Sequence, residues 1–187
     1  MMMSAASIIA GVMLIAGMAF AQAENDLPGA RARVQKVQAT PVAPVTVAPG
    51  KPAKVALKFR VVQGFHINSN KPKSELLVPT VVHLSPPTDL SVGNVNYPEG
   101  RDLTFPFAPD EMLNVYTGDF AVRALVSAAA KAPPGTYRVH GELKYQACDD
   151  RACYPPTKVP VSFDVHVNRA ASTTPRRHPG QSPHIHN

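Results

Sequence analysis

Apolar and polar residues alternate with a period of two along Thr136–Ala147, and again along Lys158–Val167. That period belongs to strands with one face in a core and the other in water. Tyr137, Val139, Leu143 and Tyr145 share one side of the first segment, while Arg138, His140, Glu142, Lys144 and Gln146 share the other. Val159, Val161, Phe163, Val165 and Val167 give the second segment a matching apolar side. The two segments read as the arms of one hairpin. Between them lies Tyr145-Gln-Ala-Cys148-Asp-Asp-Arg-Ala-Cys153-Tyr-Pro-Pro156, with both cysteines of the chain. Carried past Gln146, the alternation puts Cys148 on the polar side, where a cysteine kept for packing is seldom found. Cys148 is therefore expected to be accessible, or covered by a loop and not by the core.

Further strand signals recur at short intervals. In Lys54–Val61, Val55, Leu57, Phe59 and Val61 face one way and Lys58 and Arg60 the other. Leu76–Leu84 and Leu90–Tyr97 follow, and Val115–Ser127 contains another alternating run at Phe120, Val122, Ala124 and Val126. Ala128–Ala132 could turn helically before Pro133-Pro134-Gly135 ends it. Some seven strands, twenty prolines, no tryptophan and few helix-forming runs predict an all-β chain, an immunoglobulin-like antiparallel β-sandwich. The Cys…Trp…Cys core of antibody domains is absent from it.

Residues 1–23 read as a signal peptide. Ile8–Phe20 is almost wholly apolar and short for a membrane span. Ala19-Phe-Ala21 and Ala21-Gln-Ala23 offer small-x-small cleavage sites near Ala21 or Ala23. No Lys or Arg precedes the apolar run, and an uncleaved anchor is the alternative. Residues 24–44 form a polar flexible lead, 45–168 the sandwich domain, and 169–187 a disordered basic tail containing His178, His184 and His186. The predicted location is the periplasm, which permits disulfides. The formal net charge of +6 lies largely at the ends (Arg31, Arg33, Lys36, Arg169, Arg176, Arg177), with no basic stripe interleaved with aromatics. Nucleic acid is not an expected partner.

A disulfide across so short a ring contributes roughly 2 kcal/mol by loop closure, against about 4–5 kcal/mol for a ring of 100 residues. Such a pair is a weak staple and a serviceable switch. Asp149 and Asp150 would raise a nearby thiol's pKa and Arg151 would lower it. The pair has no second cysteine pair or suitably spaced histidine to make a zinc site. The residues alone leave a static hairpin disulfide and a redox-active one both open.

Four motifs occur in one order: Gly64-Phe-His-Ile-Asn-Ser-Asn-Lys-Pro72, Tyr97-Pro-Glu-Gly100, Val115-Tyr-Thr-Gly118 and Tyr145–Pro156 with its two cysteines. Together, over roughly Pro44–Val167, they resemble the amino-terminal periplasmic domain of the DsbD family of transmembrane thiol-disulfide reductases. The resemblance implies an immunoglobulin-like domain whose redox-active pair is Cys148 and Cys153. It implies electrons received from a membrane-embedded donor and passed to periplasmic thioredoxin-like proteins, such as disulfide isomerases and cytochrome c maturation factors. It also implies exchange through a mixed disulfide, with Cys153 attacking downstream partners and Cys148 resolving. A mobile cap loop covers the pair in that family. Leu103–Met112 matches it, with Phe105 or Phe107 as the lid and Asp110 and Glu111 as nearby acids, and Tyr154 matches the family's aromatic after the second cysteine. Some members have five residues between the cysteines where this chain has four. The membrane and thioredoxin domains of the full-length reductases are absent from this sequence, so the donor is expected to be a separate protein.

The resulting expectation is a monomeric thiol-disulfide exchange protein needing neither organic cofactor nor metal. Any enzymatic role would be as a protein-disulfide reductase component. The rivals are a binding or chaperone-like sandwich with a permanent hairpin disulfide, and a metallochaperone using Cys148, Cys153 and Met112 or a histidine. His66 reads as a hydrogen-bonding residue that fixes a loop, and Asn68, Ser69 and Asn70 as turn formers whose side chains satisfy backbone groups. No hydrolase triad, paired carboxylates or phosphate-cradling glycine loop stands out.

Overall fold

The computed structural model describes residues 35–169. The expected signal peptide and nearly all of the expected tail, including its histidines, lie outside the described residues. The strands are β1 (Val37–Ala39), β2 (Val45–Val47), β3 (Ala53–Val61), β4 (His66–Asn68), β5 (Val81–Ser85) and β6 (Leu90–Val92). They continue with β7 (Arg101–Phe105), β8 (Ala108–Tyr116), β9 (Asp119–Ala128), β10 (Gly135–Tyr145), β11 (Ala147–Cys148) and β12 (Thr157–Val167). The fold is all-β and immunoglobulin-like, as the alternation predicts. No helix of the described residues is long and apolar enough to cross a membrane.

Two sheets, ordered β1-β3-β9-β6 and β2-β12-β10-β5, close their apolar faces on one core. Both faces follow from the period of two. Val55, Leu57, Phe59 and Val61 of β3 are buried, and the register sets Phe59 opposite Phe120 and Leu57 opposite Val122. The Phe59 and Phe120 rings stack at 5.3 Å, and Tyr116 stacks on Phe120 at 4.8 Å. Each such side chain fully removed from water contributes about 1.5–3 kcal/mol. The β10–β12 hairpin pairs as expected, with Val139 opposite Phe163 and Leu143 opposite Val159, all four buried.

Several expected boundaries move. The domain starts before residue 45: β1 pairs with β3, Val37 is buried, and β2 then joins the other sheet parallel to β12. The segment between Ala39 and Val45 thus crosses from one sheet to the other, and the end of the expected flexible lead is structured. Val115–Ser127, expected to contain one strand, holds the end of β8 and most of β9, parted at Thr117-Gly118, where Gly118 takes φ +59°, a conformation open to glycine at little cost. Of the predicted Leu76–Leu84 only Val81–Ser85 is strand, and the residues before it are loop.

A third sheet, β11-β4-β8-β7, carries the cysteine segment. The chain leaves the β10 ladder at Tyr145, passes Gln146, and enters this sheet at Ala147.

Candidate functional site

Two residues of β11 set the site. Ala147 pairs with Ile67 and Cys148 with His66 on β4. Ala147 and Ile67 belong to the core cluster, so the alternation turns Cys148 and His66 to the opposite face of the sheet. Cys148 is nevertheless fully buried, and it lies outside the core cluster. Of the two options the sequence left for this residue, accessible or covered from outside, the structure shows the second.

Against His66 lies the β7–β8 hairpin. The register of its two strands shifts between Thr104 and Phe105: Thr104 pairs with Met112 but Phe105 with Ala108. Pro109, Asp110 and Glu111 therefore bulge out of the ladder and are exposed. Bulges of this kind re-aim neighbouring side chains. Here Phe105 lies on the His66 ring, with centroids 3.7 Å apart and planes 15° apart, and Phe107 stands 6.1 Å from the same ring. The two phenylalanines stack on each other at 5.7 Å. Phe105 thus covers the His66 ring, and Phe107 stacks on Phe105.

Cys148 and Cys153 form a disulfide across a tight hairpin, with Cα atoms 3.9 Å apart. The hairpin is held by Asp149 N–H donating to the Ala152 carbonyl (3.0 Å) and Tyr154 N–H to the Ala147 carbonyl (2.8 Å). Cys153, unlike its partner, is exposed. The pair is therefore asymmetric: one sulfur-bearing residue sealed, the other at the rim.

Asp149 is the carboxylate built into this hairpin. Its Oδ1 accepts the N–H groups of Arg151 and Ala152, both at 2.9 Å, and its Oδ2 accepts the Tyr154 hydroxyl at 2.6 Å. These bonds, the Tyr154 hydroxyl foremost, hold its pKa down to about 2 and raise that of Tyr154. A depressed carboxylate pKa adds stability that is present above the unfolded value of about 4. That stability is lost as pH falls through about 2. The hairpin should accordingly loosen between about pH 4 and pH 2, and Asp149→Asn should flatten that acid limb in a pH series of thermal melts. An identical acid limb in the variant would remove Asp149 from the account. Asp110 and Glu111, the acids expected from the cap loop, make no hydrogen bond or ion pair to the cysteine hairpin among the described residues.

Three features escaped the sequence reading. Lys36, in the expected flexible lead, sets its ammonium 3.9 Å from the Tyr154 ring centroid and 5.4 Å from that of Phe65. Phe65 meets Tyr154 edge to face at 5.9 Å. This aromatic-cation cluster fixes the residue that follows Cys153. The third is the burial of His66, expected to fix a loop by hydrogen bonding: it lies in β4, 3% exposed, and its Nε2 has no hydrogen-bond partner. The turn formers fare better. Asn68 Nδ2 donates to the Val78 carbonyl at 3.0 Å and Ser69 Oγ accepts the Lys71 N–H at 3.1 Å, while Asn70 Oδ1 instead accepts the Tyr116 hydroxyl at 2.6 Å. Asn68 also donates to Gln146 Oε1, and Gln146 Nε2 donates to the Tyr154 carbonyl, tying β4 to both ends of the cysteine hairpin.

Residues 33–164 match the family model "Thiol:disulfide interchange protein DsbD, N-terminal", with the disulfide, its capping hairpin and most of the sandwich inside the match. The chain belongs to that family. Among solved structures, the DsbD N-terminal domain of Neisseria meningitidis in its reduced form is 26% identical, covering 60% of this chain and 75% of that one, with a TM-score of 0.38. The same Neisseria DsbD domain in complex with the PilB N-terminal domain is 25% identical over 59% of this chain and 73% of that one, with a TM-score of 0.36. The N-terminal periplasmic domain of ScsB from Proteus mirabilis is 15% identical over 68% of this chain and 44% of that one, with a TM-score of 0.43. A search of curated proteins returned no match. As a DsbD N-terminal domain, the chain has its disulfide in the segment that named the resemblance.

Proposed function

We propose that this domain relays electrons in the periplasm, cycling Cys148–Cys153 between disulfide and dithiol and reducing thioredoxin-like proteins, including those that serve cytochrome c maturation. The observation that carries this reading is the asymmetry of the pair, Cys148 buried and Cys153 exposed. Family membership supplies the reaction class. A membrane-embedded donor delivers two electrons and the pair becomes a dithiol. Cys153 then attacks a partner disulfide as its thiolate, and a mixed disulfide forms. Cys148 attacks Cys153, the pair closes, and the partner leaves as a dithiol. No metal or organic group enters these steps. The domain acts as a monomer, exported behind residues 1–23 and cleaved near Ala21 or Ala23.

The decisive experiment equilibrates the purified domain in graded thiol buffers and reads its reduction potential. A relay requires a value among the exchange proteins, roughly −120 to −270 mV. A value below about −300 mV would mark a permanent structural disulfide and reject the relay.

A further inference from the structure

The deepest unexplained group beside the disulfide is His66. It stands directly across the β4–β11 ladder from Cys148, on the same face of the sheet. Opposed residues on one face bring their Cβ atoms about 4.5–5.5 Å apart. Phe105 closes over the ring, His66 is 3% exposed, and Nε2 is left with no partner. Burying a polar nitrogen without a hydrogen bond is costly, and such exceptions call for a reason. In the disulfide state shown here Cys148 carries no proton. In the reduced state a thiol stands at the same place.

We propose that His66 is the proton partner of Cys148, taking its thiol proton when that sulfur attacks. The inference rests on the exchange reaction proposed above and deepens it. A cysteine sealed in apolar surroundings holds its proton more tightly than an exposed one, so the resolving attack needs a base inside the cover. In the mixed disulfide, Cys153 Sγ is bonded to a partner sulfur and Cys148 is a thiol. His66 accepts the proton, and the Cys148 thiolate attacks Cys153 Sγ. The Cys148–Cys153 bond forms, the bond from Cys153 to the partner breaks, and the partner sulfur leaves with the electron pair. The imidazolium returns the proton to that thiolate, directly or through water, and His66 ends neutral.

Burial pushes the ring down to about 4, offset in part by the Asp149 carboxylate, so His66 waits as the neutral imidazole at pH 7. Besides Asp149, Asp150 and Arg151 on the cysteine hairpin, the charged groups on the strands packed around the ring are Arg101 and Asp102 of β7 and Asp110 and Glu111 of β8, all four exposed. A thiolate formed beside the ring in this low-dielectric setting would favour the imidazolium that forms with it.

The test reacts the reduced domain with dithiobis-nitrobenzoate. One coloured thiolate is released when Cys153 attacks and a second when Cys148 resolves, so both steps appear in one trace. His66→Phe keeps the stack with Phe105 and removes the nitrogens. It should slow the second phase by about 10²-fold or more, the loss expected for a general base, and leave the first within about threefold. In the variant the second phase should climb about tenfold per pH unit with the Cys148 thiolate fraction, where the wild type levels off. His66→Gln keeps hydrogen bonding but cannot take the proton, and it should slow the second phase alike. It carries the test if the phenylalanine variant fails to fold. Equal slowing of both phases, or an unchanged second phase, overturns the role of His66. A wild type that releases no coloured thiolate overturns the exchange reading, and this inference with it.

Discussion

Serine in place of Cys153 is expected to abolish reaction with disulfide partners, whereas serine in place of Cys148 should leave a domain that accumulates as a mixed disulfide. The expectation follows from where the two residues lie. Cys153 is exposed, and Cys148 is buried beside His66 under Phe105. From these exposures an incoming sulfur is expected to reach the first and not the second. Without Cys148, a partner joined to Cys153 has no internal thiol to release it, and the adduct should be isolable by non-reducing electrophoresis. Both variants should stay folded. A ring this short contributes roughly 2 kcal/mol by loop closure. The hairpin also keeps its two backbone bonds and the three bonds to Asp149 when the sulfurs are gone. Denaturant melts of the double variant decide between switch and staple. A loss far above about 2 kcal/mol would mean that the disulfide holds the domain together. Accumulation of adduct on Cys148 in Cys153→Ser would reverse the proposed roles.

What was legible in the sequence was what obeys a local period. The β10–β12 hairpin, β3 and β9 were readable because their apolar residues repeat every second position over eight residues or more. Cys148 was placed on the correct face by extending that count through Gln146, since its partner His66 shares the face away from the core. Two short strands, β1 and β4, escaped. His66–Asn68 is three residues long and buried on both faces, so it shows no alternation to read. β1 was equally opaque, because Val37 is buried only through its pairing with Val61, which no local pattern announces. The site follows the same division. The cysteines and Phe105 were found through motif and resemblance. The stacking of Phe105 on His66 and of Lys36 on Tyr154 depends on a ladder shift and on a chain segment some 118 positions away in sequence. The two-residue hop from Tyr145 to Ala147, which moves the chain into a different sheet, is likewise decided by tertiary pairing.

Phe105→Ala should open the sealed half of the site without altering the exposed half. In the folded domain Phe105 is held by its stack on His66, and Phe107 lies behind it. An aromatic pair of this kind adds about 0.5–1.5 kcal/mol beyond the area it buries. Removing the ring forfeits that contact and the burial with it, so the open form of the cap should gain population by about tenfold. In the reduced domain this is measurable by competitive alkylation followed by mass mapping of each cysteine. Cys153 should label at nearly the wild-type rate, since nothing over it has changed. Cys148, protected in the wild type, should label about tenfold faster, in step with the open population. Phe107→Ala should do less, because that ring stands 6.1 Å from His66 where Phe105 stands 3.7 Å. The same opening lets solvent reach His66, so its titration, followed by NMR, should move upward from about 4 towards the ordinary imidazole value. Equal acceleration at both cysteines would indicate general loosening of the third sheet. No acceleration at Cys148 would mean that Phe105 packs beside the site without closing it.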